Sequence, residues 1–177
     1  LAYFSYLCFH QEAKEADVSL YFRDCTGGNL EDFWLLDSFD ALFRGQGKNI
    51  ATDNPSKYLL YQDAMLGMFD YHIRNIDTQT YYSTLARRLE QAVPRNPGYE
   101  SLLDFYRYLA LVLSQKADLG IRIKSAYDSQ DLSTLKEISQ KVIPDILKNL
   151  GAMRGLREEL WMCQAKPFGY ELLDIKL

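Results

Sequence analysis

Leu102-Leu103-Asp104-Phe105-Tyr106-Arg107-Tyr108-Leu109-Ala110-Leu111-Val112-Leu113 decides the fold. All of these residues but Asp104 and Arg107 are apolar. A helix that is apolar nearly all round has to be covered on several sides, so this is read as the central helix of a bundle. Asn96-Pro97 ahead of it combines a capping residue with a proline, and the helix is expected over residues 98–127.

Downstream, Asp131 or Ser133 opens the next helix. Leu132, Leu135, Ile138, Val142, Ile146 and Leu150 then recur at spacings of three and four, which is one helical face. Pro144 lies inside this pattern and should kink it. The helix is expected to run through Leu156 and Leu160 to Trp161. Phe168 to Leu177 changes to period-two stretches, as in a strand, but no other segment offers it a partner.

Upstream, residues 2–23 are helix-compatible, with a polar stretch from Gln11 to Asp17, and Gly27-Gly28 stops them. Asn29 reads as the cap of a short helix that turns Phe33, Leu36 and Phe39 inward, with Asp37 and Asp40 beside that stripe. Residues 44–56 read as a loop. Asn54-Pro55 starts a helix carrying Tyr58, Leu59, Tyr61, Met65, Leu66, Met68 and Phe69. Asp77 or Thr78 opens another, ended near Pro94. The expectation is an all-α helical bundle of about five or six helices with a short extended C-terminal segment, in one domain over residues 1–177.

Composition narrows the function. The 177 residues carry 20 basic and 24 acidic side chains, a net charge of −4. That balance argues against a nucleic-acid partner. The longest apolar run, Tyr108 to Leu113, is far short of the roughly 20 residues of a membrane span. Cys8, Cys25 and Cys163 are odd in number and scattered, which points to buried or half-buried free thiols in a reducing compartment, read as cytoplasmic. The chain opens on Leu1 and runs at once into Tyr3, Phe4, Tyr6, Leu7 and Phe9, as a segment cut from something longer would.

No constellation for chemistry emerges. His10 and His72 lack partners at zinc spacing, and Cys8-Phe9-His10 is half a site at best. Gly45-Gln46-Gly47-Lys48 fails the phosphate-loop pattern, with Leu42 at the first glycine position and Asn49 in place of Ser/Thr. Glu158 and Glu159 are adjacent and so point about 100° apart on a helix. Asp63, Asp70 and His72 lie among apolar residues and read as caps or anchors. Tyr58/Tyr61 and Tyr81/Tyr82 read as packing, and Arg87-Arg88 as a solvated face. No residue is assigned a catalytic, cofactor-binding or metal-binding role.

Two segments carry a resemblance: Asn54-Pro55-Ser56-Lys57-Tyr58-Leu59-Leu60-Tyr61-Gln62-Asp63-Ala64-Met65-Leu66-Gly67-Met68-Phe69-Asp70, and Leu160-Trp161 with Lys166-Pro167-Phe168-Gly169-Tyr170-Glu171-Leu172-Leu173-Asp174-Ile175-Lys176-Leu177. Both resemble the C-terminal helical region of bacterial family 20 glycoside hydrolases, the β-N-acetylhexosaminidases. In that family a (β/α)8 barrel carries an adjacent Asp-Glu pair, and the substrate's own 2-acetamido oxygen attacks the anomeric carbon. No Asp-Glu dipeptide occurs in these 177 residues. The resemblance therefore implies a non-catalytic accessory domain, whose partner is the catalytic barrel of the same polypeptide. Its implied roles are to cover barrel surface, shape a rim or form a homodimer contact. Residues 1–10 are open to being the tail of the barrel. On this reading Leu1 to Phe9 and Phe168 to Leu177 leave apolar surface uncovered. The rival is a free-standing helical module that binds a peptide or glycan.

Overall fold

Helix punctuation orders the chain. The computed structural model describes residues 1–44 and 54–174, so the Gly45-Gln46-Gly47-Lys48 turn lies outside the described residues. The elements begin with α1 (Ala2–Leu7), α2 (Glu15–Thr26) and α3 (Leu30–Phe33), which continues into a 3-10 helix (Trp34–Phe43). Next come α4 (Pro55–Tyr61), α5 (Asp70–Ile73), α6 (Thr78–Ala92) and a 3-10 turn (Val93–Arg95). The rest is α7 (Glu100–Lys116), α8 (Leu119–Asp128), α9 (Leu132–Glu137), a π-helical turn (Ile138–Val142), α10 (Ile143–Gln164) and α11 (Tyr170–Asp174). Six of the α-helices have seven residues or more, and no strand occurs among the described residues. The all-α bundle stands.

Local chemistry sets three helix starts as expected. The side chains of Asn29, Asp77 and Asp131 accept the backbone N–H of Glu31, Thr80 and Thr134 at 3.0, 2.9 and 3.1 Å. α7 lies between α6 and α10 and buries Leu103, Ala110, Val112 and Leu113. One core joins Leu103, Ala110 and Leu113 to Leu89, Ala92, Tyr82 and Phe39. A smaller one gathers Val112, Leu119, Ile138, Val142 and Ile146. Each fully buried aliphatic side chain contributes about 1.5–3 kcal/mol of transfer free energy.

Several expectations are corrected. The helix read over 98–127 is two helices, because Lys116 and Ala117 are tied to α4. The Lys116 Nζ donates to the Gln62 carbonyl at 2.7 Å, and the Ala117 carbonyl accepts from Gln62 Nε2 at 3.4 Å. Asn96 does not cap α7; its side chain is committed elsewhere, and Tyr99 precedes the first turn. Residues 2–23 are split into α1 and α2 across the polar stretch. Their contact is made by aromatics: the Ser5 and Tyr21 hydroxyls lie 2.8 Å apart, and the Tyr6 ring meets the edge of Tyr21 at 5.7 Å.

The 3-10 helix buries Phe39 of the stripe as expected and adds Leu35 and Phe43, while Phe33 and Leu36 are half-buried, Leu36 packed against the core. Asp40, which sat awkwardly beside that stripe, accepts the Ser56 backbone N–H at 2.8 Å and so serves α4, whose Asn54 makes no side-chain cap bond. The irregularity expected at Pro144 is the π-helical turn just before α10. Proline lacks an N–H and its ring crowds the preceding turn, which a wider turn relieves.

The C-terminal segment leaves α10 extended at Ala165 and then closes in the helical turn of α11 rather than forming a strand. Trp161 Nε1 donates to the Lys166 carbonyl at 2.8 Å, Tyr170 is buried beside Trp161, and Asp174 pairs with Arg154. Tyr170 and Asp174 stand four apart, so one helical turn aims both at α10.

Candidate interaction surface

The connection from α4 to α5 is held from beneath by polar bonds. Gln62 is buried. Its Nε2 donates to Ala117, and its Oε1 accepts the Phe69 backbone N–H at 3.1 Å. Asp63 Oδ1 accepts the N–H groups of Met65 and Leu66 at 2.7 and 3.2 Å. Gly67 has a φ of +58°, and a Cβ there would strike the Asp70 carboxylate. Gly120, in the first turn of α8, sits against the carbonyl oxygen of Ala64 with no room for a Cβ. Burial pushes the Lys116 ammonium below its usual value, and the Asp63 charge partly offsets this.

Above this floor stand Met65, Leu66, Met68 and Tyr71, exposed at 80, 75, 73 and 69%. Met65, Leu66 and Met68 belong to the apolar run that the sequence places after Asn54-Pro55; Tyr71 is not part of that reading. Their arrival at the surface had one signal, Asp63 followed by Gly67, which turns the chain after α4 ends at Tyr61. Met65, Leu66 and Tyr71 border an open depression of about 700 Å³ with Asp70, Arg74, Lys124 and Asp128.

A second polar site lies inside the molecule. Asp32 is buried and accepts from Arg95 Nε at 3.0 Å and Asn96 Nδ2 at 2.8 Å. Asn96, fully buried, also donates to the Ala92 carbonyl at 2.8 Å and accepts the Asn29 backbone N–H at 2.6 Å. Burial pushes the Asp32 carboxyl up, but the bonds from Arg95 and Asn96 and the Arg95 charge outweigh it and hold it below the usual carboxylate range. The Phe22, Phe33 and Tyr99 rings meet edge to face beside it, at 5.2 and 5.0 Å. This joint fixes the entry of α3 on the α6–α7 corner. Sequence reading missed it, because Asp32 and Asn96 are 64 positions apart.

The other sequence candidates are dispersed. Asp63 is the turn cap described above, and Asp70 is the keystone under Gly67. The Asp70 Oδ1 is inaccessible and has no hydrogen-bond partner. His72 lies between the Phe69 and Tyr71 rings, and His10 stacks on Tyr6 at 3.9 Å. Tyr82 is fully buried and donates to the Phe39 carbonyl at 3.0 Å, while Tyr81 donates to Ser38 at 2.5 Å. Glu158, Glu159, Arg87 and Arg88 are exposed. The three cysteines are free and exposed, not buried or half-buried, because α1, α2 and the end of α10 turn those positions outward. Among the described residues, no group of three or more His, Cys, Asp or Glu is placed to hold a metal ion, and no helix is long and apolar enough to cross a membrane.

Two further apolar features complete the surface. α1 buries none of its residues, and Phe4 and Phe9 stand out at 72 and 81%. Phe168 and Leu172 are likewise exposed. A groove of about 360 Å³ runs between α4, α7 and α10, lined by Tyr61, Phe105, Tyr106, Met153, Lys57 and Arg157.

The described residues form an all-α bundle that displays apolar side chains on its surface. Residues 31–177 match the family described as the Glycoside Hydrolase 20C C-terminal domain, and the chain belongs to that family. None of the curated proteins matches the chain. α1 and α2 precede the matched region.

Proposed function

We propose that this chain is the non-catalytic C-terminal domain of a family 20 β-N-acetylhexosaminidase and braces the catalytic barrel of the same polypeptide. The family match over residues 31–177 carries the reading. The absence of an Asp-Glu pair from these residues supports the assignment of the chemistry to the barrel. Residues 1–10 are then the barrel's last helical tail, packed on α2 by Tyr6 and displaying Phe4 and Phe9 toward the barrel. The exposed thiols suit a reducing, cytoplasmic setting. A homodimer contact through the remaining apolar surface belongs to the same reading; sedimentation equilibrium of the full-length protein would give twice the chain mass.

The test is release of a chromogenic aglycone from an N-acetyl-β-glucosaminide. The full-length protein should hydrolyse it and residues 1–177 should not. Turnover by the 177-residue chain would overturn the proposal. The aromatic groove between α4, α7 and α10 favours a second reading, a free-standing module for a peptide or glycan. An open reading frame that starts beside Leu1, with no upstream barrel, would select it.

A further inference from the structure

Apolar residues exposed singly are ordinary, but four within seven positions form a patch. Met65, Leu66, Met68 and Tyr71 are such a patch, on a turn that does not yield. Its backbone is held by Gln62, Asp63 and Lys116, and its underside rests on Gly120 with no slack. A turn that only connected α4 to α5 would be served by polar residues. Here the order needed for docking is already present, so a partner loses little conformational entropy in ordering this surface.

We propose that the Met65–Leu66–Met68–Tyr71 face is the seat of this domain on the catalytic domain of the same polypeptide, an inference that rests on the accessory-domain reading above. The rim selects the partner's chemistry. Asp70, Arg74, Lys124 and Asp128 line the depression that Met65, Leu66 and Tyr71 border, two charges of each sign, which suits a globular protein surface with a mixed polar rim. A nucleic acid or an anionic membrane would call for a basic rim.

Size selects the mode of attachment. Four side chains offer on the order of a few hundred Å², less than the ~800 Å² per partner that freely associating proteins bury. A tethered domain needs less, because a short tether supplies an effective concentration in the millimolar range. A second copy of the chain has no such tether. The patch also lies inside the matched residues 31–177, so it belongs to the domain itself and not to the segment before it.

Methionine oxidation reads the seat directly. The full-length protein is treated with dilute peroxide, and sulfoxide formation is followed by peptide mass spectrometry at Met65, Met68, Met153 and Met162. The expected result is protection of Met65 and Met68 at least tenfold relative to free methionine, close to that of the buried Met153. Met65→Asp with Leu66→Asp in the full-length protein should abolish the protection of Met68. Oxidation of Met65 and Met68 at the rate of free methionine, in a protein that releases sugar, would overturn this inference and leave the accessory-domain reading intact. Protection that disappears on dilution would assign the face to a second copy and overturn the tethered seat. A full-length protein without hydrolase activity would instead sink the underlying reading.

Discussion

The Asp32–Arg95–Asn96 joint and the Gln62–Tyr71 turn are built from the same material and used in opposite directions. Each is a set of polar side chains that satisfies the backbone where helices do not. In the joint, Asp32 and Asn96 are buried, with Arg95 half exposed at the edge, so the bonds hold three segments of one chain together. In the turn, the network forms the floor and the apolar side chains are the roof, facing water. A buried polar network under protein makes architecture; the same network under exposed methionines makes a presented surface.

The comparison breaks most sharply at Asn96. Asn96→Ala removes a bond to Asp32 and strips the Asn29 N–H of its acceptor, and should cost about 3–4 kcal/mol in urea denaturation of the 177-residue chain. A loss below ~1 kcal/mol would mean that water replaces the joint. On the side of the turn, Gly120→Ala forces a methyl group against the Ala64 carbonyl and should cost about 1–3 kcal/mol. Its amide exchange should quicken at Met65 to Phe69 while that of α6 stays unchanged.

Acidity separates the two regions by sign. The Asp32 carboxyl is held below its ordinary value. Its contribution is therefore present above about pH 3.9, the value in an unfolded chain, and lost as pH falls through the lower folded value. Asp118, at the head of α8 and next to the floor of the turn, is the reverse. Burial pushes its carboxyl up, Asp77 adds to this, and Arg122 at 3.9 Å only partly offsets it. Its contribution is complete below about pH 3.9 and lost as pH rises through the raised value, so it is a cost at pH 7. Asp118→Asn should raise stability at pH 7 by up to about 1 kcal/mol, whereas Asp32→Asn should lower it and flatten the acid limb of the stability curve. Thermal unfolding between pH 3 and 7 reads both.

The smallest effect is the most diagnostic. Met65→Ser with Met68→Ser should change the stability of the 177-residue chain by less than ~0.5 kcal/mol, because neither side chain is packed. A loss of 2 kcal/mol would show that the roof of the turn is internal structure.

What was legible in the sequence was local. Asp77 and Asp131 cap helices whose own first turns need an acceptor, and the spacing from Leu132 to Leu150 follows from one buried face. The ten apolar residues between Leu102 and Leu113 could only be central. What was not legible depended on distant partners. Asn96-Pro97 has the form of a helix start, but Asp32 claims the asparagine. Residues 98–127 hold no proline, yet α7 ends at Lys116, where Lys116 and Ala117 bond to Gln62. The last ten residues alternate as a strand does, and the Trp161–Tyr170 and Arg154–Asp174 contacts favour a helical turn. The family resemblance lay in two segments, and both became geometry: Asn54 to Asp70 as α4 and the turn after it, and Trp161 with Lys166 to Asp174 as the closure onto α10. Met65, Leu66 and Met68 were visible in the sequence as apolar residues; their exposure was not.

The C-terminal closure also makes the molecule optically readable. Trp161 donates its indole N–H to the Lys166 carbonyl and lies beside both Tyr170 and the Arg157 guanidinium, 5.3 Å from the ring centre. The chain has two tryptophans, so Trp34→Phe leaves Trp161 as a single emitter. Its emission colour and quenching then report whether the tail is latched onto α10, in real time and without an added label.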